Sequence, residues 1–313
     1  RNNSCSPSLK FMDFNNSPLQ NLDLSYYGIK NKVYVKRDDL IHPIISGNKW
    51  RKLKYNLEYF NSICKKGIVS LGGAYSSHIL ALSYLCKVNS IKCVLLVRGE
   101  QPHPLNDILR KCLSYGAIIE YIIRKDYKNP KWIKKYVEEN YNDFFFIPEG
   151  GSNFYGIKGC QNIVKEIEND FDYIFCEVGT GATFSGIVSS LNKSQSCFGV
   201  VVLKGATTIG ENISKNFEFE LKNPFSKNWI LNHDYHLGGY AKYNEDLILF
   251  MREFYKITSL KTDPIYSGKM FYGLVDQLKN NKIFENKKII ALHSGGLSGI
   301  EGFEKRYKLK IFN

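Results

Sequence analysis

Short, nearly continuous apolar runs alternate along the chain with longer segments in which apolar residues recur every three or four positions. Runs of this kind are typical of strands that helices cover on both faces, because such strands have no solvated side. The alternation of strands and helices predicts an α/β fold with doubly wound parallel sheets. The predicted strands are residues 32–36, 67–71, 92–97, 117–123, 144–147, 173–178, 198–203 and 288–292.

Four of the predicted strands lead into glycine. The glycines are Gly72-Gly73, Gly150-Gly151, Gly179 and Gly295-Gly296. Ligands of open α/β sheets bind beyond the carboxyl ends of the strands, so these four loops are the first candidates for a binding site.

Composition and charge bear on whether the protein binds nucleic acids or membranes. The chain has 313 residues, 43% of them hydrophobic, and a formal charge of +13 from 43 basic and 30 acidic residues. That charge would suit a nucleic acid or an anionic substrate. The basic residues are scattered and accompany no nucleic-acid-binding motif, so we predict no nucleic-acid partner. No apolar run approaches the roughly 18 residues of a membrane helix, so we predict no membrane partner.

The 8 cysteines form no C-x-x-C pair, and most stand in apolar surroundings. We interpret them as buried thiols of a reducing compartment and predict a cytoplasmic location. Residues 1–10 are polar rather than signal-like, and a targeting segment trimmed from this end stays an open alternative.

The loop at residues 179–183, Gly-Thr-Gly-Ala-Thr, follows a predicted strand and precedes a helix predicted over 184–191. Its backbone N–H groups and threonine hydroxyls could hold a phosphate. It matches neither a Walker loop nor the G-x-G-x-x-G fingerprint, so a nucleotide is disfavoured and a monophosphate fits. An ordinary tight turn between strand and helix explains the loop equally well.

Lys49 and the segment 76–78, Ser-Ser-His, are further candidates. A lysine at the entrance of a helix can form a Schiff base, although most lysines are merely solvated. Ser76 and Ser77 are natural helix caps that could instead receive a substrate carboxylate. His78 is either a proton carrier or a half-buried structural histidine. None of the 6 histidines has a metal-ligand spacing, so we predict no metal site.

Taken in order, these motifs resemble the pyridoxal-phosphate enzymes of the 1-aminocyclopropane-1-carboxylate deaminase and D-cysteine desulfhydrase family. The resemblance spans nearly the whole chain. It rests on residues 35–40, 42–43, 46–55, 72–78, 148–151, 179–183, 266–269 and 293–296.

The resemblance implies the tryptophan-synthase-β-like fold, also called fold type II. A small domain, residues 50–149, would be inserted into a large domain formed by residues 1–49 and 150–313. Pyridoxal 5'-phosphate would lie between them, and the active protein would be a homodimer acting on a small amino acid.

The resemblance also implies roles for individual residues. Lys49 would form the Schiff base, and Ser77 stands where the family has an asparagine near the cofactor ring. The implied catalytic residues are Lys49, Ser76, Tyr240 and Tyr266. The implied cofactor-binding residues are Lys49, Ser77, Gly179, Thr180, Gly181, Ala182, Thr183 and Ser294. The implied substrate-binding residues are Ser76, Ser77, His78 and Ser267.

Two positions divide the family. Deaminases of this resemblance carry glutamate and leucine where this chain has Ser267 and Ser294, whereas desulfhydrases carry serine or threonine. A hydroxyl facing the pyridine nitrogen withdraws electrons less than a carboxylate does, which favours elimination of a good leaving group. We therefore predict elimination from D-cysteine. The alternatives are 1-aminocyclopropane-1-carboxylate deamination and a cofactor-binding protein without turnover.

Overall fold

The computed structural model describes residues 16–45, 47–215 and 228–312. Within these residues the strands form one six-stranded and one four-stranded sheet. The strands are β1 (Leu19–Leu22), β2 (Val33–Lys36), β3 (Gly67–Gly73), β4 (Lys92–Arg98), β5 (Ile118–Ile122), β6 (Phe144–Ile147), β7 (Tyr173–Val178), β8 (Ser196–Val201), β9 (Trp229–Asn232) and β10 (Ile289–Leu292).

Helices separate most of the strands, and asparagine caps begin several of them. Asn244, for example, accepts a hydrogen bond from the Leu247 N–H at 3.0 Å. The helices are α1 (Asn48–Ser62), α2 (Ser77–Val88), α3 (Asp107–Ser114), α4 (Arg124–Tyr127), α5 (Pro130–Asn140), α6 (Phe154–Cys160), α7 (Asn162–Lys165), α8 (Ala182–Val188), α9 (Ile209–Lys215), α10 (Glu245–Thr258), α11 (Ser267–Asn280) and α12 (Ile300–Tyr307).

The four-stranded sheet has the order β5-β4-β3-β6, and all its strands are parallel. Apolar side chains of α1, α2 and α3 cover one face, and those of α5 pack on the other. Successive strands run outward from β3 to β5, whereas β6 returns to the opposite side of β3. The carboxyl ends of β3 and β6 therefore form a point where the strand order reverses, the usual place for a ligand.

The six-stranded sheet has the order β1-β2-β10-β7-β8-β9. Only β1 pairs antiparallel among these strands; the other pairs are parallel. Its two faces pack against α10, α11 and α12 on one side and against α6 to α9 on the other. Its strand order reverses between β7 and β10, which creates a second reversal point.

The predicted α/β fold is confirmed, and each of the eight predicted strands corresponds to an observed one. β1 and β9 were not predicted, because both are four-residue edge strands with polar, partly exposed positions rather than continuous apolar runs. The helix expected over 184–191 begins earlier, as α8, and ends at Val188.

The limits of the two domains stay a prediction. The strands of the small sheet lie between Gly67 and Ile147, inside the predicted insertion of residues 50–149, and those of the large sheet lie outside it. The predicted limit between residues 49 and 50 falls within α1, so this helix belongs structurally to both ranges.

Among the described residues, no helix combines the length and apolarity that crossing a membrane requires, and no group of three potential ligands could hold a metal. Cys64 is disulfide-bonded, which corrects the prediction of a thiol at that position. Cys5 lies outside the described residues. The remaining cysteines are buried free thiols, as predicted: Cys86, Cys93, Cys112, Cys160, Cys176 and Cys197.

Candidate active site

A cavity of about 360 Å³ lies where the reversal points of the two sheets face each other. This volume is in the usual range of small-molecule sites. The loops that follow β3, β6, β7 and β10 all contribute to its wall, as their strand-end glycines predicted. Predicted residues lining it are Lys49, Ser76, Ser77, His78, Gly179, Thr180, Gly181, Thr183, Tyr240, Tyr266 and Ser294.

Gly47 sets the position of Lys49. Gly47 has a φ of 64°, and a Cβ there would lie 1.6 Å from the Ser294 carbonyl oxygen. The same oxygen accepts a hydrogen bond from the Asn48 N–H at 3.1 Å. A glycine is therefore required at position 47, both by its backbone conformation and by this close approach. The contact fixes Lys49 beside the loop that follows β10.

The Lys49 amine is poised between its charged and uncharged forms. Burial and the neighbouring charge of Lys52 lower its pKa to about 7. Its Nζ donates a hydrogen bond to Asn48 Oδ1 at 2.8 Å. At neutral pH, roughly half of these amines are free bases, the form that attacks a carbonyl carbon.

Lys52 is a site residue that the sequence analysis missed. It lines the cavity although it is largely buried, and burial lowers its pKa. Its spacing from Lys49 could have predicted this position, because residues three apart in a helix share one face. A second lysine on the face of Lys49 supplies positive charge for an anionic ligand.

The loop at residues 179–183 has the features of an anion cradle. Gly181 has a φ of 90°, and none of the side chains that the structure describes caps the helix that starts at Ala182. The first backbone N–H groups of that helix have no partner within it. Thr183 Oγ1 accepts a hydrogen bond from Asn48 Nδ2 at 3.3 Å, which connects residues 179–183 to the start of α1, next to Lys49. Ala182 is buried and does not line the cavity.

Ser76 and Ser77, at the start of α2, also line the cavity. The Ser76 hydroxyl accepts a hydrogen bond from the His78 N–H at 3.2 Å and so caps the helix. His78 is buried, and its Nε2 lies 2.9 Å from Ser70 Oγ. Its Nδ1 has no hydrogen-bond partner in the described part of the chain. Burial and the charge of Lys49 lower the pKa of His78 to about 3, so the ring is neutral near pH 7.

Tyr240 and Tyr266 face each other, with ring centroids 6.0 Å apart and planes at 70°. Burial raises the pKa of both hydroxyls, and for Tyr266 the shift is large. Both hydroxyls therefore keep their protons at neutral pH and can donate them.

Glu177 is the second site residue that the sequence analysis missed. It lies on β7, lines the cavity, and accepts a hydrogen bond from the Ser294 hydroxyl through Oε1. Burial raises its pKa to about 7, against the opposing effect of that hydrogen bond. The available signal was one acidic residue inside an otherwise apolar strand.

Ser267 lies outside the cavity. It is the first residue of α11 and fully buried, and its hydroxyl donates to Asp263 Oδ2 at 2.6 Å. The same hydroxyl accepts a hydrogen bond from the Asp263 N–H at 2.8 Å. The predicted substrate contact at Ser267 is therefore corrected: Asp263 lines the cavity instead, and Ser267 holds Asp263 in place.

Residues 11–295 match the model of the pyridoxal-phosphate dependent enzyme family. The chain belongs to this family. A Thermotoga maritima protein with the provisional name 1-aminocyclopropane-1-carboxylate deaminase is 30% identical over 88% of this chain and 91% of its own length. A mitochondrial Arabidopsis thaliana protein, named bifunctional D-cysteine desulfhydrase/1-aminocyclopropane-1-carboxylate deaminase, is 27% identical over 86% and 73%.

The fold of this pyridoxal-phosphate enzyme also matches a solved structure. A crystal structure described as an ACC deaminase homologue superposes with a TM-score of 0.81 at 27% identity, covering 97% of this chain and 96% of the other. A serine racemase from Dictyostelium discoideum shares the fold with a TM-score of 0.65 at 20% identity.

The cavity fits pyridoxal phosphate on three counts. It has an amine near neutrality, Lys49, for the aldehyde carbon. It has a backbone cradle at residues 179–183 with Lys52 as counter-charge for the phosphate. It also has a buried carboxyl, Glu177, whose Oε2 has no hydrogen-bond partner among the described residues. A ring nitrogen needs a polar partner of this kind.

Proposed function

We propose that this pyridoxal-phosphate enzyme is a lyase that converts D-cysteine and water to pyruvate, ammonia and hydrogen sulfide. The observation that carries the proposal is the Lys49 amine, whose pKa of about 7 leaves a free base inside the cavity. The two tyrosines of the same cavity keep their protons. The site thus pairs one base with two acids, as an elimination requires.

The cofactor, when bound, supplies an electron sink that makes the hydrogen on the substrate's α-carbon acidic. Lys49 would hold the cofactor, and its amine as a free base would remove that hydrogen. The Ser76 and Ser77 hydroxyls and the α2 backbone N–H groups receive the substrate carboxylate. Tyr240 and Tyr266 hold protons at the cavity wall for the departing sulfur and for the product.

Thr180, Thr183 and the backbone of residues 179–183 would hold the phosphate, with Lys52 balancing its charge. This cradle would hold the cofactor's phosphate, and Lys49 would hold its aldehyde carbon. Two points of attachment would keep the substrate carbon in one position relative to the base, which is a large part of enzymatic rate enhancement.

Two observations support D-cysteine as the substrate. Ser294 places a hydroxyl at the cavity wall where the deaminases of the resemblance carry leucine. The Arabidopsis thaliana relative carries the desulfhydrase name. Because the Ser267 hydroxyl is bonded to Asp263 outside the cavity, Ser294 alone of the serine pair supports this choice.

The second candidate is deamination of 1-aminocyclopropane-1-carboxylate to 2-oxobutyrate and ammonia. Glu177 favours it, because a carboxyl directly behind Ser294 makes up for the glutamate absent at position 267. A Rhizobium leguminosarum relative that is 26% identical over 95% of this chain also bears the deaminase name.

The deciding experiment incubates cofactor-loaded protein with D-cysteine, L-cysteine and 1-aminocyclopropane-1-carboxylate in parallel. Sulfide with pyruvate from D-cysteine is the expected result, and Lys49→Ala is expected to abolish both. Release of 2-oxobutyrate alone would establish the second candidate. Cofactor absorbance without any product would indicate a binding protein that lacks turnover.

We further propose a homodimer with no nucleic-acid or membrane partner, working in the cytoplasm. Six buried thiols support a reducing compartment, although Cys64 does not. Light scattering of the holoenzyme tests the homodimer, and retention on a nucleic-acid column at low salt tests for a nucleic-acid partner. Cell fractionation tests both the membrane partner and the cytoplasmic location.

A further inference from the structure

The hydrogen bond between Ser294 and Glu177 fixes what the serine can offer a ligand. Both residues are only 6% exposed, and both line the cavity. A serine hydroxyl carries one proton, and Ser294 donates it to Glu177 Oε1. In this orientation the serine oxygen is left as an acceptor, which matches the state after a proton transfer, when Glu177 is ionised and the ligand presents a donor.

The position of this pair matches one atom of pyridoxal phosphate. The cofactor's aldehyde carbon must reach Lys49, and its phosphate must reach residues 179–183. Its ring nitrogen lies opposite the aldehyde carbon and is the remaining basic atom. Ser294 follows β10 and Glu177 lies on the adjacent β7, at the reversal point of the six-stranded sheet, and both residues line the cavity.

We infer that Glu177 and Ser294 form a proton relay that keeps the cofactor's ring nitrogen protonated. A proton moves from the Glu177 carboxyl to Ser294 Oγ as the Ser294 proton passes to the nitrogen. The carboxyl becomes a carboxylate, the hydroxyl is restored, and the nitrogen gains N–H, so charge and atoms balance. Ser294 contacts the ring, and Glu177 is a positioning residue that acts through it.

Two further observations fit this relay. Among the described residues Glu177 Oε2 is buried without a hydrogen-bond partner, which favours a neutral carboxyl before the cofactor binds, so Glu177 holds a proton that it can give. The neighbouring charges also oppose each other, because Lys49 favours the ionised form of Glu177 while Asp263 and burial disfavour it. A cationic ring beside Ser294 would therefore favour ionisation of Glu177.

The relay rests on the cofactor site of the proposed function and would serve either candidate substrate, because a protonated ring withdraws electrons more strongly than a ring facing a hydroxyl alone. Its test needs no substrate. The apo protein is titrated with pyridoxal phosphate and with its 1-deaza analogue, in which CH replaces the ring nitrogen. Because charged hydrogen bonds are strong, the parent should bind pyridoxal phosphate about 10- to 100-fold more tightly than the analogue. Glu177→Gln and Ser294→Ala should bring this ratio close to one.

Glu304→Gln is the matched control, because it makes the same change at a buried carboxyl that binds the Ile311 N–H away from the cavity. It should keep the parent ratio. A parent ratio near one, or an unchanged ratio in Glu177→Gln, would overturn the relay. The ¹⁵N shift of ring-labelled cofactor in the parent gives a second reading that needs no variant: a pyridinium shift supports the relay, and a neutral pyridine shift overturns it.

Failure of the relay and failure of the proposed function give different results. An enzyme that produces pyruvate from D-cysteine with a binding ratio near one would keep the function and lose the relay. A protein with the expected ratio and no product would keep the relay and lose the function.

Discussion

The first turn of α1 carries two sets of charges that differ in how fully they are paired. Arg51 donates to both Asp38 oxygens at 2.6 and 2.7 Å and to Glu166 at 2.8 Å. Burial alone would lower the pKa of Arg51, but Asp38 and Glu166 raise it. Lys49 and Lys52, on the cavity face of the same helix, have no carboxylate within salt-bridge distance among the described residues, and burial lowers the pKa of both.

The difference separates stability from chemistry. A fully paired buried cation cannot give up its proton, so Arg51 can only hold α1 against the loop at Asp38 and against Glu166. An incompletely paired buried lysine costs stability but gains a reactive amine. The motif at residues 47–52 thus encodes both roles in one helical turn.

The sharpest test of this comparison is to substitute methionine for Lys49 and, separately, for Arg51. Lys49→Met has the larger expected effect on turnover. Turnover should fall by about 10³-fold or more, because the amine that holds the cofactor and removes the proton is lost. The free energy of unfolding of the apo protein should not fall. Steady-state kinetics and urea unfolding of the apo protein measure the two quantities.

The sign of the stability effect follows from linkage. Lys49 has a pKa of about 7 when folded, against 10.5 for the free side chain. The unfolded state therefore binds more protons between these values, and stability rises with pH across that window. Below pH 7 the penalty is fully present in the parent and absent from Lys49→Met. A large loss of stability in this variant would contradict the comparison.

Arg51→Met should show the opposite pattern. It leaves Asp38 buried and unpaired, which costs about 3–5 kcal/mol, while the folded fraction should still capture the cofactor through Lys49. Arg110→Met, at an exposed pair with Asp107, is the control and should cost about 1 kcal/mol or less. Equal losses in the free energy of unfolding for the two arginine variants would show that the buried pairing of Arg51 stabilises the fold no more than an exposed ion pair does.

The features that could be predicted from the sequence are those that depend on neighbouring residues in the chain. Apolar runs fixed the central strands, and strand-end glycines located the cavity, because both signals are local in the chain. The edge strands β1 and β9 have no such run. The cavity also brings together residues as far apart in the sequence as Lys49 and Ser294. Their approach through Gly47 depends on the tertiary structure, so no local pattern predicts it.

The charged residues were harder to predict, because their roles depend on partners far along the chain. Nothing in the sequence around Glu177 indicates that Ser294, 117 residues later, would donate to it. The resemblance implied a substrate contact for Ser267 and a cofactor contact for Ser294, yet only Ser294 lines the cavity. The direction of a side chain at a helix start depends on its neighbours, and here Asp263 holds Ser267.

Tyr266→Phe removes a proton donor from the cavity without touching the lysines. Loss of a general acid lowers turnover by roughly 10²-fold, whereas cofactor affinity should stay near that of the parent. Tyr243→Phe, in the core beside Phe303, is the control and should retain turnover. A kcat equal to the parent's in Tyr266→Phe would exclude this hydroxyl as the donor.

The smallest expected effect comes from Lys52→Met. Lys52 lowers the pKa of Lys49 by charge repulsion, while Glu177, Cys160 and Asp263 act in the opposite direction. Removing Lys52 should therefore raise the pKa of Lys49, and less free base would be present at pH 7. The rate at which apo protein captures pyridoxal phosphate, measured against pH, should keep its shape but move its midpoint upward from about pH 7.

Lys54→Met is the matched control for this shift, because Lys54 lies two residues further along α1, over the ring of Tyr55 and outside the cavity. Its midpoint should equal that of the parent. Lys52→Met should also weaken cofactor binding, because the phosphate loses a counter-charge. Saturating cofactor separates the two effects, since only the pKa of Lys49 then sets the midpoint. An unmoved midpoint in Lys52→Met would mean that burial alone tunes Lys49, and that the two lysines on the cavity face of α1 act independently.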